Sequence, residues 1–386
     1  MTATGCRGPA WAVIAGGGTG GHIYPGLAVA EALADAGRAE LHFVVSRRRL
    51  DSEVVAAAGF AATGICARGF QRRIAAANLR AACALACGVW QCWGVLARTS
   101  PKVVLAQGGY VSAACAIAAR LRGVPVVVLE ANAVAGAANR LSARWAKACA
   151  TAFDGTALAG AVRTGLPVRA AIARMHPDSP QGTAGGEARS AARAALGVAE
   201  SRRLVLVTGG SQGSRRLNAA VDGACALLED RSEVTVRHLV GQAGANQAPS
   251  PEAQDPHRGL HYQRLAYEHD MPAALAAADL VVSRAGGSAL AESAAAGRAA
   301  VVVPMAGASA DHQVANAAAL AAAGAAVVIP ESELDGQRLA TEITDILGDP
   351  ARLEAMQAAA ARFAQPDAAG RVAALLIAAA GEGSPP

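Results

Sequence analysis

The chain has 386 residues, a length that supports two domains with full hydrophobic cores. With 53% hydrophobic and 17% charged residues it is globular rather than disordered. A net charge of +5 suits an anionic ligand or membrane surface, but no dense basic run of the kind that binds nucleic acid is present. The 8 cysteines are scattered, with no CxxC pair and no zinc spacing, and read as small buried hydrophobes in a reducing compartment. The opening MTATGCRGPAW has no apolar core of a secretory signal.

In chain order, WAVIA predicts a short strand leading into a glycine loop and a helix near residues 25–36. LHFVVS follows, and later KVVLAQGGY and VPVVVLEAN. Continuous apolar runs separated by helices indicate a parallel sheet covered on both faces. Between them, AACALACGVWQCWGVLA (residues 81–97) approaches the length of a membrane span, but Gln91 interrupts it. It reads as a buried or surface-lying helix, flanked by Arg68, Arg72, Arg73 and Arg80 before it and Arg98 and Lys102 after it. A Pro/Gly/Ser-rich stretch, residues 174–190, marks a loop near a boundary. The same grammar then restarts with RLVLVTGGSQGSRRLNAAV, followed by VTVRHLVG, DLVVSRAGG, AAVVVPM and AAVVIP. A helical tail ends the chain. The expectation is two doubly wound α/β domains, residues 1–163 and 164–354, with residues 355–386 returning to the first.

The spacing Gly16-x-Gly18-x-x-Gly21 fits a dinucleotide fingerprint, which needs an acidic residue at the end of the second strand. That strand ends in Ser46 and Arg47 instead, and His22 is foreign to the fingerprint. The loop also lacks the Lys-Ser/Thr ending of a P-loop. Three glycine turns, one before each of three helices, can present backbone N–H groups and a helix dipole to an anion. On the third of these helices, Glu292 is either a solvated charge or an acceptor for ribose hydroxyls. Asp311, His312, Gln313 and Asn316 gather near a strand end and read as ligand contacts.

GGGTGGH, QGGYVS, LEAN with a following AG, GLPVR, GGSQGSRRLN, SRAGGSALAE and DHQVANA occur in one order along nearly the whole chain. Together they resemble the MurG family of bacterial N-acetylglucosaminyltransferases. The resemblance implies a GT-B fold of two Rossmann-like domains facing a cleft. The implied reaction moves GlcNAc from UDP-GlcNAc to the C4 hydroxyl of MurNAc in undecaprenyl-pyrophosphoryl-MurNAc-pentapeptide. Carried over by position, the UDP-GlcNAc contacts fall on Thr19, Gly20, Gly21, Asn132, Arg169, Ser211, Glu268, Gly287, Ser288, Ala289, Leu290, Ala291, Glu292 and Gln313. Glu292 would hold the ribose and backbone at Glu268 the uracil. Ser211 and the turn from Gly287 would cradle phosphate, and Gln313 would read sugar hydroxyls. Leu166, Ala131, Glu268 and Ala289 depart from the family pattern.

An inverting displacement needs one general base. His22 is the first candidate by its ordinary pKa, with Glu130 in reserve. No DxD-type carboxylate pair stands out, so no metal or cofactor is implied, and helix N-termini with Arg169 would carry the phosphate charge. The competing readings are a UDP-GlcNAc 2-epimerase and a GT-B transferase acting on another lipid. The resemblance also implies peripheral attachment to the anionic inner leaflet on the cytoplasmic side, with partners among the cell-wall synthesis proteins. Around the apolar Phe70, Ile74, Leu79, Trp90 and Trp93, Arg68, Arg72, Arg73 and Arg80 form a patch suited to that attachment.

Overall fold

The computed structural model describes residues 8–17, 20–66, 76–179, 185–241, 244, 259–305, 307 and 311–382. The chain divides into two compact units, one of residues 1–169 with 367–386 and one of residues 170–366. The dividing point therefore falls just past Arg169 rather than before Thr164. The helical tail is split: Pro350–Phe363 stays with the second unit, and only Ala368–Ala379 joins the first.

In the first unit, β1 (Ala12–Ala15) is followed by a 3-10 turn (Gly20–His22) and α1 (Tyr24–Asp35). Next come β2 (Leu41–Ser46), α2 (Arg49–Ala57), β3 (Ala61–Ile65), α3 (Ala76–Thr99), β4 (Val103–Ala106), α4 (Gly109–Leu121), β5 (Val126–Glu130), α5 (Ala137–Ser142), β6 (Ala148–Thr151) and β7 (Ala161–Arg163). The sheet order is β3-β2-β1-β4-β5-β6-β7, with every pairing parallel. The chain thus reverses direction across the sheet between β1 and β4, and in such sheets ligands sit at that reversal, beyond the carboxyl ends of the strands.

The central strands are buried on both faces, which explains their unbroken apolar runs. Helix α3 is long and apolar enough to cross a membrane by length and composition alone. Its stripe of Cys92, Val95 and Leu96 is nevertheless fully buried against Ala114, Cys115 and Ala118 of α4, so the helix lies on the unit.

The second unit contains α6 (Ala170–Ala173), α7 (Gly185–Ala195), β8 (Arg203–Thr208), α8 (Arg215–Leu227), β9 (Val234–Leu239), β10 (His261–Leu265) and α9 (Met271–Ala277). It continues with β11 (Leu280–Arg284), α10 (Gly287–Ala295), β12 (Ala299–Val303), α11 (His312–Ala322), β13 (Ala326–Val328), α12 (Gly336–Leu347) and α13 (Pro350–Phe363). Its parallel sheet runs β10-β9-β8-β11-β12-β13, which puts the reversal between β8 and β11.

The last helix, α14 (Ala368–Ala379), packs on α1 and on β4, β5 and β6. Just beyond it, the Glu382 carboxylate accepts from Trp11 Nε1 (3.2 Å), Arg38 Nε (3.0 Å) and Lys102 Nζ (2.5 Å), which fastens the chain end to the first unit.

Candidate functional site

At the reversal of the first sheet, the loop after β1 is too tight for a side chain. A Cβ on Gly16 would stand 2.6 Å from the His22 carbonyl oxygen. The 3-10 turn of Gly20, Gly21 and His22 delivers the half-buried His22 to the start of α1. Thr19 lies outside the described residues. After β4 the chain turns through Gly108 (φ 90°) and Gly109 (φ 76°), left-handed conformations that favour glycine. A Cβ on Gly108 would sit 3.3 Å from Asn139 Nδ2 and 3.6 Å from His22 Cε1, so the imidazole and Asn139 both border this turn.

Strand β5 ends on Glu130, which is buried. Its Oε1 accepts from Asn132 N (3.0 Å) and Asn132 Nδ2 (3.1 Å), and its Oε2 accepts from Gly136 N (2.9 Å) and Asn139 Nδ2 (2.9 Å). An ionised carboxylate has about four lone-pair positions, and here four N–H groups take them. Proton abstraction would cost it a bond already made. Glu130 therefore acts here as the organiser of the loop from Asn132 to Asn139. Asn139 is absent from the residues singled out by sequence, where the one signal was an asparagine in an alanine-rich helix start; its Nδ2 also donates to Leu129 O at 3.0 Å. Arg169 places its guanidinium 4.6 Å above the Tyr24 ring. Leu166 and Ala131, two departures from the family pattern, are buried apolar groups.

In the second unit the glycine turn after β8 is pressed against the end of β9. Gly213 has φ 70°, and a Cβ there would meet Val240 O at 2.1 Å. Ser211 stands exposed on that turn. Ser214 caps α8, its Oγ accepting from Leu217 N at 3.3 Å. Across the reversal, α10 begins at Gly287 after the N-cap Gly286, which supplies no side-chain cap to the helix start. Leu290 is buried in the core, Ala291 and Glu292 are half-buried on the same helix, and Asn316 Nδ2 donates to Ala285 O at 3.0 Å. Asn316 is thus a buried anchor for the turn. Gln313 uses its Oε1 to accept from Met305 N at 2.9 Å, fixing the side chain at the loop after β12.

Glu268, beyond β10, has its side chain committed. Its Oε2 accepts from Arg237 Nε (2.8 Å) and Nη2 (2.6 Å), and its Oε1 from Asp270 N (3.0 Å). Arg237 also donates to Gln263 Oε1 at 2.6 Å. Backbone alone is left at Glu268 to meet a ligand.

Residues 12–151 match the N-terminal domain of glycosyltransferase family 28, and residues 204–372 match its C-terminal domain. The UDP-N-acetylglucosamine–N-acetylmuramyl-(pentapeptide) pyrophosphoryl-undecaprenol N-acetylglucosamine transferase of Alkalilimnicola ehrlichii is 39% identical over 95% of this chain and 98% of its own. The chain belongs to the MurG family. A transferase of the same name from Methylococcus capsulatus is also 39% identical, over 96% of this chain and 98% of its own. Among solved structures, Acinetobacter baumannii MurG superposes with a TM-score of 0.68 at 28% identity, covering 96% of this chain and 99% of that one.

A putative UDP-N-acetylglucosamine 2-epimerase from Listeria monocytogenes reaches a TM-score of 0.66 over 96% of each chain at only 15% identity, so it shares the fold alone. Two Rossmann-like parallel-sheet units make the MurG-family fold GT-B. Membership makes the chain a glycosyltransferase of the hexosyl-transferring class.

Proposed function

We propose that the enzyme transfers GlcNAc from UDP-GlcNAc to the C4 hydroxyl of MurNAc in undecaprenyl-pyrophosphoryl-MurNAc-pentapeptide. The observation that carries this reading is the 39% identity, over nearly the full length, to relatives named for that donor and acceptor. In this reading His22 takes the proton from the acceptor hydroxyl, whose oxygen attacks C1 of the sugar. The C1–O bond to UDP breaks on the opposite side, inverting the anomeric centre. The helix starts at α8 and α10, with Ser211 and Arg169, offset charge growing on the leaving diphosphate. Glu292 holds the ribose, backbone at Glu268 the uracil, and Gln313 the sugar. Thr19, Gly20, Gly21 and Asn132 complete the donor contacts.

The test is incubation with UDP-GlcNAc and a short-chain acceptor analogue, with products identified by mass. An acceptor heavier by one N-acetylhexosamine is expected. Acceptor-independent formation of a UDP-sugar epimer would overturn the reading. Glu292→Ala should weaken UDP binding by about 1.5–3 kcal/mol, the range for hydrogen bonds involving a charged group. Calorimetry giving wild-type affinity for this variant would remove Glu292 from the site.

We further propose peripheral attachment to an anionic cytoplasmic leaflet through α3 and the end of α4. Trp90 is 76% exposed, Trp93 41% and Leu121 63%, an apolar group that water alone does not favour. Arg122 sits 4.9 Å over the Trp93 ring, joining cation to apolar surface. Arg68, Phe70, Arg72, Arg73 and Ile74 lie outside the described residues, as do the side chains of Leu79 and Arg80. Burying a large apolar side chain is worth about 1.5–3 kcal/mol, so Trp90→Ser with Trp93→Ser should cut co-sedimentation with anionic vesicles at least about tenfold. Wild-type sedimentation by that double variant would move the attachment surface elsewhere.

A further inference from the structure

Arg284, the last residue of β11, stands at the reversal of the second sheet. Its Nη2 donates to Ser214 Oγ at 2.6 Å and also to Glu331 Oε1, and its Nη1 donates to Val303 O at 3.3 Å. Ser214 caps α8 at the end of the turn after β8. Val303 is the last residue of β12, and Glu331 lies in the segment after β13. One planar guanidinium therefore bonds to the turn after β8, to the last residue of β12 and to the segment after β13. The arginine and glutamate side chains are 11% and 10% exposed.

Burying an ion pair costs desolvation that its attraction barely repays, so such a pair is poor evidence of a purely stabilising role. A guanidinium offers fixed N–H directions that an ammonium lacks, which suits holding several groups at set separations. Ser214 adds a local detail. Its oxygen accepts from both Leu217 N and Arg284 Nη2, so the serine position in the phosphate-side turn is pinned from two directions.

We propose that Arg284 is a positioning residue for the donor. Through Ser214, Val303 and Glu331 it sets the spacing between the turn after β8 and the loops after β11 to β13. The inference rests on the UDP-sugar reading of this unit, and it assigns Arg284 no contact with the substrate. Its consequence is specific: loosening the clamp should weaken donor binding while leaving acceptor binding alone.

The experiment titrates UDP into the full chain by calorimetry and measures steady-state kinetics, for wild type and for Arg284→Lys, Ser214→Gly and Ser214→Thr. Glycine is tolerated at helix caps, so Ser214→Gly removes the bridging oxygen with little loss of helix stability. Arg284→Lys and Ser214→Gly should each weaken UDP by about tenfold, the scale of a lost charge-assisted hydrogen bond. The KM for UDP-GlcNAc should rise in step, with the acceptor KM unchanged. Ser214→Thr, which keeps the hydroxyl, should bind like wild type. Wild-type UDP affinity in both weakening variants would overturn the clamp and leave the donor reading standing. So would a Ser214→Thr variant as weak as Ser214→Gly. A wild-type chain that does not bind UDP would overturn the donor reading, and the clamp with it. If Arg284→Lys melts without a cooperative transition, Ser214→Gly decides alone.

Discussion

His22→Ala should lower turnover by on the order of 10²–10⁴-fold, the usual contribution of a positioned general base. UDP affinity should stay at the wild-type value, because the groups proposed to hold the nucleotide belong mainly to the second unit. The fold should also survive, since the His22 ring is only half-buried at the start of α1. The geometry favours His22 over Glu130 for a concrete reason. The Glu130 carboxylate already accepts four N–H groups, two from Asn132 and one each from Gly136 and Asn139. A carboxylate so occupied gains little by taking a proton. An imidazole titrates near neutral pH and can take one and release it. Single-turnover and steady-state assays with the acceptor analogue give the measurement. A loss under tenfold would leave His22 an orienting role and make Glu130 the next group to vary. In that case Glu130→Ala must be read beside its melting curve, because it strips the acceptor from four donors at once.

The glycine turns after β1 and β8 were legible in the sequence, because each follows a strand with no polar residue in its interior, whereas the strand orders that make them sheet reversals were not. WAVIA and the LVLV of β8 are buried on both faces, the mark of central parallel strands. Four strands had no such signature. Ala61–Ile65 and His261–Leu265 are edge strands whose residues are mostly half-buried, and the latter carries His, Gln and Arg. Ala161–Arg163 is a three-residue edge, and Ala148–Thr151 is built of small residues with little strand preference. Pattern alone does not report an edge whose partner comes from elsewhere in the chain.

The site shows the same division. Glycine turns and helix starts are local, so their positions were legible. What each side chain does there depends on distant residues: Arg237 for Glu268, Asn139 for Glu130 and Ala285 for Asn316. Asn316 illustrates the consequence. It looks like a ligand contact beside Gln313, yet it is fully buried and spends its amide on the backbone of the next turn.

Asp279→Ala should cost the second unit about 3–5 kcal/mol, the range for removing one partner of a buried ion pair. The Asp279 side chain is 3% exposed and that of Arg193 is 1% exposed. Oδ1 accepts from Arg189 Nη2 (2.8 Å) and Arg203 Nη1 (3.2 Å), while Oδ2 accepts from Leu204 N (2.8 Å) and Arg193 Nη1 (3.4 Å). The alanine variant would leave the buried Arg193 guanidinium with only the exposed Glu200 carboxylate, 3.5 Å from its Nε, and would strip the Leu204 N–H of its carboxylate acceptor.

Burial pushes the Asp279 pKa up, but Arg189, the Leu204 N–H and Arg193 outweigh it, and the net shift is downward. A depressed pKa in the folded state means the contribution is complete above the unfolded value, about 3.9 for aspartate, and fades as pH falls through the folded value. The stability gap between wild type and Asp279→Ala should therefore be level between about pH 5 and 8 and shrink below about pH 4. Thermal melts followed by circular dichroism measure it, and a gap that stays level to the lowest pH would remove the charge from the explanation. Leu204 lies near the start of β8 and Asp279 immediately precedes β11, so this cluster holds the amino ends of the strands. The turns that would hold UDP leave the carboxyl ends of the same strands. Well below its lowered transition, Asp279→Ala should therefore still bind UDP with wild-type affinity, the reverse of what Arg284→Lys should show.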